Sequence, residues 1–393
     1  MSIDTKTAPA SRSTQPSLDL REGLRDRDSY LHELECARGW AILLVFVFHA
    51  WGISGLQMPA SPWPGVSFIA VGSTGVTLFF VLSGFLLSLP WLRHAADPTQ
   101  RKPQLRPYLR ARALRIIPLY YIALVLTWAF TGDSVTVARA ALFQFIGFDA
   151  FPYGVVWWTL ATEMQFYLVL PLGMTLWIGS RTARLCCLAL ILFWLALYAG
   201  IVLGGVSEET SFVLTKSLFA RAPAFLIGIL SAAFWLHLKH RSASANTSRM
   251  AGTVSLAMLF CALAALERIL LAVALMGNAA ETRWHIHHTY EALLWAAILL
   301  LLLRGPMPAK PLFVNRPLAV MGKLSYSLYL LHVPVLFYSI YPAREKMGIE
   351  AYINSPWLYL IPLAAFAVSL GLALCSYHGL EKPFLQRKRA LTV

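Results

Sequence analysis

Ten apolar runs, each about as long as a bilayer is thick, constrain this chain more than any other feature of its sequence. A hydrocarbon core about 30 Å deep is crossed by roughly 20 apolar residues in a helix. That ruler predicts spans over residues 38–57, 68–90, 114–131, 156–178, 185–205, 212–236, 252–276, 287–304, 318–341 and 357–379. Backbone N–H and C=O groups in lipid must be paired within the protein, so such runs become helices. The expected fold is all-α: a polytopic membrane helix bundle of about ten transmembrane helices. Charge content agrees, since 13% of the 393 residues are charged where soluble domains carry about 25%. An ordinary soluble enzyme, a disordered protein and a nucleic-acid-binding domain are excluded together. The run 137–148 is apolar but too short to span, and reads as a re-entrant or interfacial segment.

The net charge of +14 is distributed in the manner of a membrane protein. Basic residues sit between the apolar runs, and roughly 24 of the 33 Lys and Arg fall on the amino-terminal side against roughly 4 on the other. This asymmetry predicts both termini in the cytoplasm and a multi-pass protein of the cell inner (cytoplasmic) membrane, in contact with lipid and not with nucleic acid. Residues 1–28 are rich in Ser, Thr, Pro and Arg without an apolar core, and read as a disordered cytoplasmic tail. Residues 29–386 form the membrane domain and 387–393 a basic cytoplasmic tail. The far-side loops are short, so no catalytic domain is expected there and any chemistry lies inside the bundle.

Five cysteines show no CxxC spacing and read as small buried apolar residues, with neither a disulfide framework nor a metal site expected. Cys36, just before the first span, is a candidate for lipidation.

Ionisable groups inside a membrane are costly and mark either function or a buried pair. Arg38 and His49 lie on the first span, and the step between them turns about 1100°, close to three full turns, with a rise of about 16 Å. They therefore share one helix face, Arg38 at the cytoplasmic boundary and His49 near mid-membrane. Arg38 reads either as a snorkelling residue or as an anion contact, and His49 as a packing residue or a base. Thr159, Glu163 and Tyr167 form a second stripe, and Ser325, Tyr329 and His332 a third. Glu267 and Arg268 are neighbours pointing about 100° apart, which suggests a structural pair or a helix break. Arg101, Lys102, Arg106, Arg110, Arg112 and Arg115 crowd one inner loop, either against anionic lipid or around a phosphate-rich ligand. Ser83-Gly84 permits close helix approach.

The order of these elements carries a resemblance. Arg38 to His49 is followed by Phe79-Phe80-Val81-Leu82-Ser83-Gly84-Phe85 and Arg112-Ala113-Leu114-Arg115-Ile116-Ile117-Pro118. Then come Trp158-Thr159-Leu160-Ala161-Thr162-Glu163-Met164-Gln165-Phe166-Tyr167, Ser325-Tyr326-Ser327-Leu328-Tyr329-Leu330-Leu331-His332, and the closing Glu381-Lys382-Pro383-Phe384. From residue 29 to 386 the chain resembles the integral-membrane acyltransferase 3 family, whose members O-acylate cell-surface glycans and some antibiotics. The resemblance implies catalytic roles for Arg38, His49 and Glu163, with Thr159 at a position where the family motif has serine. Some family members carry a fused outer hydrolase-like domain, which is not expected here.

What this implies is an O-acyltransferase that moves an acyl group, acetyl foremost, from cytosolic acetyl-CoA or another acyl-CoA to a hydroxyl. The acceptor would be a surface glycan, a lipid-linked sugar or a macrolide. His49 is the expected general base, with transient acylation of its imidazole as the other route. Arg106, Arg110, Arg112, Arg115 and Ser83 are the expected acyl-CoA contacts. Tyr167, Ser325, Tyr329 and His332 are the expected acceptor contacts, and Glu163 is expected to orient a histidine or bind sugar hydroxyls. No bound cofactor or metal is expected. A transporter and a non-catalytic glycan-export accessory protein are the competing classes.

Overall fold

Described in the computed structural model are residues 17–205, 207–241, 249–277, 284–304 and 307–384. Residues 1–16 of the amino-terminal tail, and the basic tail 387–393, lie outside the described residues. Among the described residues there are helices and turns and no strands. In chain order the helices are α1 (Ser17–Ser54), α2 (Val66–Ala70), α3 (Thr74–Ala96), α4 (Leu105–Thr131), α5 (Ser134–Ala141), α6 (Trp157–Ile178), α7 (Arg181–Gly204), α8 (Glu208–Thr215) and α9 (Leu218–Arg241). They continue with α10 (Arg249–Met276), α11 (Trp284–Leu303), α12 (Lys310–Phe313), α13 (Arg316–Lys323), α14 (Ser325–Met347), α15 (Ile349–Ile353) and α16 (Trp357–Ser376), which runs into a π-helical turn, Tyr377–Glu381. Helix α1 thus begins within the segment read from sequence as a tail.

Each of the ten predicted runs is helical. Among the described residues seven helical segments are long and apolar enough to cross a membrane, α8 and α9 counting as one, and Lys310–Lys323 (α12 and α13) with α14, joined at a 72° bend, make an eighth when counted as one span. Helices α6 and α11 fall outside that measure. The apolar stretch of α11, His287–Leu303, is shorter, and the first half of α6 carries Trp, Thr, Glu and Gln.

Three predicted runs are broken, each with a physical reason. The second splits into α2 and α3. The start of α2 is held by α10, whose Glu267 carboxylate accepts from the Gly65 N–H and lies 3.5 Å from the Ser67 hydroxyl. Glu267 is therefore spent on α2 and not on Arg268, and α10 runs unbroken past both. The sixth run breaks between α8 and α9, where α6 supplies partners for the freed backbone: Thr162 Oγ1 donates to the Lys216 carbonyl at 2.9 Å and Gln165 accepts from the Leu218 N–H at 3.2 Å. The ninth breaks at Leu324, after α13 has been capped by Asn315 through the Leu318 N–H at 3.1 Å. The short run 137–148 holds α5 and a turn, tied to α4 by Tyr120 and Tyr121 hydroxyls that donate to the Ala140 and Ala141 carbonyls at 2.8 and 2.9 Å.

Helices α1 and α3 lie at the centre. Helix α1 packs against α3, α13 and α14, and α3 against α9. Two thirds (67%) of the apolar window of α3 is buried, against 6% for α7, so α7 faces outward. With no hydrophobic effect to join helices within lipid, small residues and interhelical hydrogen bonds do the joining. Gly84 of α3 lies against the Phe225 carbonyl of α9, and Gly228 of α9 against the Val81 carbonyl of α3. The close approach expected of Ser83-Gly84 is thus reciprocal. Trp295 Nε1 donates to Thr74 Oγ1 at 2.9 Å and the Tyr326 hydroxyl to the Ile116 carbonyl at 2.6 Å. Cys36 is fully buried, its thiol donating to the Asn315 carbonyl at 3.2 Å, which removes it as a lipidation site.

A methyl group at Gly84 has no room without parting α3 from α9. Gly84→Ala should destabilise the detergent-solubilised protein by about 1–3 kcal/mol, read as a lower midpoint in thermal unfolding followed by tryptophan fluorescence. Gly173→Ala, where a Cβ meets nothing within 4 Å, should leave the midpoint unchanged.

Candidate active site

Among the cavities along α1, one lies near Arg38 and one near His49, and a third, about 290 Å³ and lined by apolar side chains with Trp40 and Trp295, carries none of the ionisable residues. The arginine cavity is small, about 80 Å³, and is lined by Arg38, Ser83, Arg112, Arg115, Glu163 and Tyr167 among others. The histidine cavity is about 630 Å³ and is lined by the last turns of α1, from Val45 to Ile53. Val76 and Tyr329 line both, so these two side chains form the partition between them.

His49 is half-buried and opens on the larger cavity, while His332 behind it is fully buried. His332 Nδ1 lies 3.0 and 2.9 Å from the Leu328 and Tyr329 carbonyls of its own helix. Carbonyl oxygens only accept, so the network assigns the proton of His332 to Nδ1 and a lone pair to Nε2. That Nε2 is 3.0 Å from His49 Nδ1, which is also 3.0 Å from the Val45 carbonyl. His49 therefore donates through Nδ1 to two acceptors and keeps its lone pair on Nε2. A neutral imidazole held in this tautomer is the form a general base needs.

The arginine cavity is organised around Glu163, whose Oε1 accepts from the Ser83 hydroxyl at 2.9 Å. The Arg112 guanidinium sits 5.8 and 5.9 Å from the Tyr167 and Tyr108 ring centres. Its buried Nε has no hydrogen-bond partner among the described residues. The partition is held from α6: the Tyr329 hydroxyl accepts from Thr159 Oγ1 at 2.8 Å and lies 3.3 Å from the Val156 carbonyl. Thr159 thus uses its hydroxyl to lock Tyr329.

The residues singled out from sequence divide between the two cavities. Arg38, Ser83, Arg112, Arg115, Glu163, Tyr167 and Ser325 line the arginine cavity, so Tyr167 and Ser325 stand with the expected acyl-CoA contacts. Tyr329 faces both cavities, and His332 contacts His49 without lining either. His332, not Glu163, is the group brought to His49. Arg106 and Arg110 are exposed outside the cavities.

Sequence reasoning missed most of the wall opposite His49. Lys216, Arg221 and Arg344 line the histidine cavity with Trp158 and the His287–His288–Glu291 cluster. The donor atoms of that cluster lie within 4.8 Å of one another, so it could hold a metal ion. Both Glu291 oxygens already have partners, however: His287 Nδ1 at 3.0 Å and Thr77 Oγ1 at 3.1 Å. A cation would displace those hydrogen bonds beside the positive charge of Arg221, so the cluster reads as a histidine backed by a carboxylate. The available signals were in-run charge at Lys216 and Arg221, and helical spacing from His287 to Glu291.

No solved structure matches the chain. Among curated relatives, the O-acetyltransferase OatA of Staphylococcus aureus is 22% identical over 382 residues, covering 91% of this chain and 58% of its own length. The exopolysaccharide production protein ExoZ of Rhizobium meliloti is 25% identical, covering 82% of this chain and 92% of its own. The putative peptidoglycan O-acetyltransferase YrhL of Bacillus subtilis is 26% identical over 90% of this chain and 55% of its own. The chain thus spans little more than half of OatA and YrhL. The model of the acyltransferase 3 family, an acyltransferase domain, matches residues 31–376, and with its bundle of apolar helices the chain is a multi-pass membrane protein belonging to that family.

Proposed function

We propose that this protein transfers an acetyl group from cytosolic acetyl-CoA to a hydroxyl of a glycan on the far side of the cell inner membrane, with His49 as general base. The observation that carries the reading is the lone-pair nitrogen of His49, fixed by His332 and facing a cavity of about 630 Å³. A cavity of that size takes a sugar residue or two. The names of OatA and YrhL support the acetyl group and a glycan acceptor. The positive-inside asymmetry supports placing the arginine cavity toward the cytoplasm.

On this reading the acceptor hydroxyl sits at His49 and its oxygen attacks the thioester carbonyl. His49 Nε2 takes the hydroxyl proton as the C–O bond forms, the C–S bond breaks, and the CoA thiolate leaves with a proton. The Nδ1–H bond to His332 becomes charge-assisted once His49 is an imidazolium, so it strengthens as the transition state is approached. Exposed Arg106 and Arg110 hold the donor's phosphates. The arginine cavity is too small for the nucleotide, and admits only the narrow arm that bears the thioester. For the acyl group to meet His49, Tyr329 must swing out of the partition.

The first test is label transfer from radiolabelled acetyl-CoA to surface glycan in membranes. His49→Ala should insert and accumulate normally yet lose about 10²–10⁴-fold in transfer. Retained transfer rejects the base assignment, and solute movement with the label left on CoA identifies a carrier. His332→Gln should lower kcat more than KM and shift the pH profile of kcat, because it alters only the group that holds His49. Unchanged kinetics would reduce His332 to packing. For the donor side, Arg106→Ala with Arg110→Ala should raise the KM for acetyl-CoA without changing kcat, measured as initial rates over a range of acetyl-CoA. An unchanged KM would leave the cluster with a topological role alone.

A further inference from the structure

We infer that Trp91 and Tyr108 form the mouth of the arginine cavity and read the amide groups of the donor's pantetheine arm as it enters. This rests on the acyl-transfer reading and deepens it on the donor side. Two helix stripes lead to the pair. Ser83 and Leu87 of α3, and Arg112 and Arg115 of α4, line the arginine cavity. Trp91 follows Ser83 and Leu87 at the spacing i, i+4, i+8, and Tyr108 precedes Arg112 and Arg115 at i, i+4, i+7. Each therefore continues the cavity-lining face of its helix by one turn. Both steps run toward the segment 97–104 that joins α3 to α4, close in sequence to exposed Arg106 and Arg110. There the two rings meet edge to face, with centres 5.0 Å apart. The lining of the cavity stops one turn short of them, so the ring pair stands between the cavity and the helix ends.

The polar atoms of this mouth point to the ligand. Trp91 is 3% exposed. Its indole Nε1, the Tyr108 hydroxyl and Arg112 Nε are all buried without a hydrogen-bond partner among the described residues. The three side chains form one contact group, since the Arg112 guanidinium carbon lies 5.9 Å from the Tyr108 ring centre. Buried polar groups are paired in nearly all native proteins, and three in one group call for a ligand that pairs them. The N–H groups of Trp91 and Arg112 only donate, whereas the Tyr108 hydroxyl donates or accepts. A secondary amide is the complement: a carbonyl oxygen for the donors and an N–H for the tyrosine oxygen. A pantetheine arm carries two such amides between its thioester and its phosphates. A phosphate fits less well. The carboxylate of Glu163 lines the cavity just inside, and like charges repel most strongly where water is excluded. A neutral arm passes Glu163 without that cost.

The test uses the full chain in phosphatidylcholine nanodiscs, with radiolabelled acetyl-CoA displaced by three probes: S-acetylpantetheine, its analogue with both amides replaced by ethers, and an adenosine bisphosphate that lacks the arm. S-acetylpantetheine should bind about tenfold or more tightly than the ether analogue, the range of two or more neutral hydrogen bonds. Tyr108→Phe keeps the ring and removes the hydroxyl; it should narrow that ratio about threefold, the loss of one such bond, and leave the bisphosphate affinity as it was. Trp91→Phe should do the same, and where its smaller ring harms folding Tyr108→Phe carries the test. Arg106→Ala with Arg110→Ala should do the reverse, weakening the bisphosphate and preserving the amide preference. Tyr338→Phe, whose hydroxyl pairs with that of Tyr153 outside both cavities, should change neither. Equal affinity for S-acetylpantetheine and the ether analogue, or an amide preference that survives Tyr108→Phe, overturns the inference. A lower thermal midpoint in Tyr108→Phe with the amide preference unchanged assigns these groups to buried water and overturns it too. Acetyl transfer measured alongside separates the two ideas. Transfer without amide preference removes the mouth alone, amide preference without transfer removes the acyl-transfer reading, and failure of acetyl-CoA to bind removes both.

Discussion

The structure depends on one hydrogen bond between two imidazoles that both sit inside a membrane bundle. A neutral histidine has two tautomers, and only one leaves the cavity-facing nitrogen able to accept a proton. The choice is made one residue away, by the carbonyls of Leu328 and Tyr329 acting on His332. Backbone carbonyls of a buried helix neither titrate nor rotate. The tautomer of His49 is thereby referred to the most rigid acceptors available, and the cost falls on the packing that keeps α1 and α14 in register. That packing is close. Gly39 of α1 meets the Leu318 carbonyl and Gly322 of α13 meets the Glu35 carbonyl, so the segment leading into α14 touches α1 backbone to backbone. Phe46 and Leu336 close the apolar seam beside the imidazoles.

The cavities near Arg38 and His49 differ in size and in chemistry. Next to Arg38 the space is narrow and its carboxylate is tied to a hydroxyl; next to His49 it is wide, aromatic and cationic. A permanent opening between them would let water and small ions cross the bundle. Tyr329 and Val76 prevent that in the structure, and Thr159 holds Tyr329 in place. Replacing the serine of the family motif by threonine preserves this lock, because the donated proton comes from the hydroxyl and the additional methyl sits in a buried position.

Much of the fold was legible because lipid allows so few alternatives. Apolar runs of the right length had to be helices, and the ten predicted runs are helical. The breaks were not legible, because a break inside an apolar run is permitted only where another helix pairs the freed backbone, and that partner lies far away in sequence: Glu267 for α2, Thr162 and Gln165 for the start of α9. The site divides along the same line. Helical arithmetic places Arg38 and His49 on one face of α1, and the structure has both lining cavities along it. It cannot say which residue of another helix meets them. Glu163 was expected to orient a histidine or bind sugar hydroxyls, yet His332 makes the contact with His49 and Glu163 meets Ser83. Lys216 and Arg221 stood out as charges within an apolar run, but nothing local to them shows that both turn onto Trp158.

The distribution of charge inside the bundle limits what the larger cavity can be. A Lys or Arg near the middle of a membrane helix costs about 2.5–3.5 kcal/mol on insertion scales, less where the side chain reaches water or an aromatic face. Lys216 and Arg221 reduce that cost through the same indole, an arrangement that brings two like charges together when separate placement would reduce their repulsion. The imidazole of His49 faces that same space, and His332 fixes which of its nitrogens keeps the lone pair. Backbone carbonyls acting through His332 thus leave Nε2 of His49 as the nitrogen that carries the lone pair, in the same cavity that the cations line.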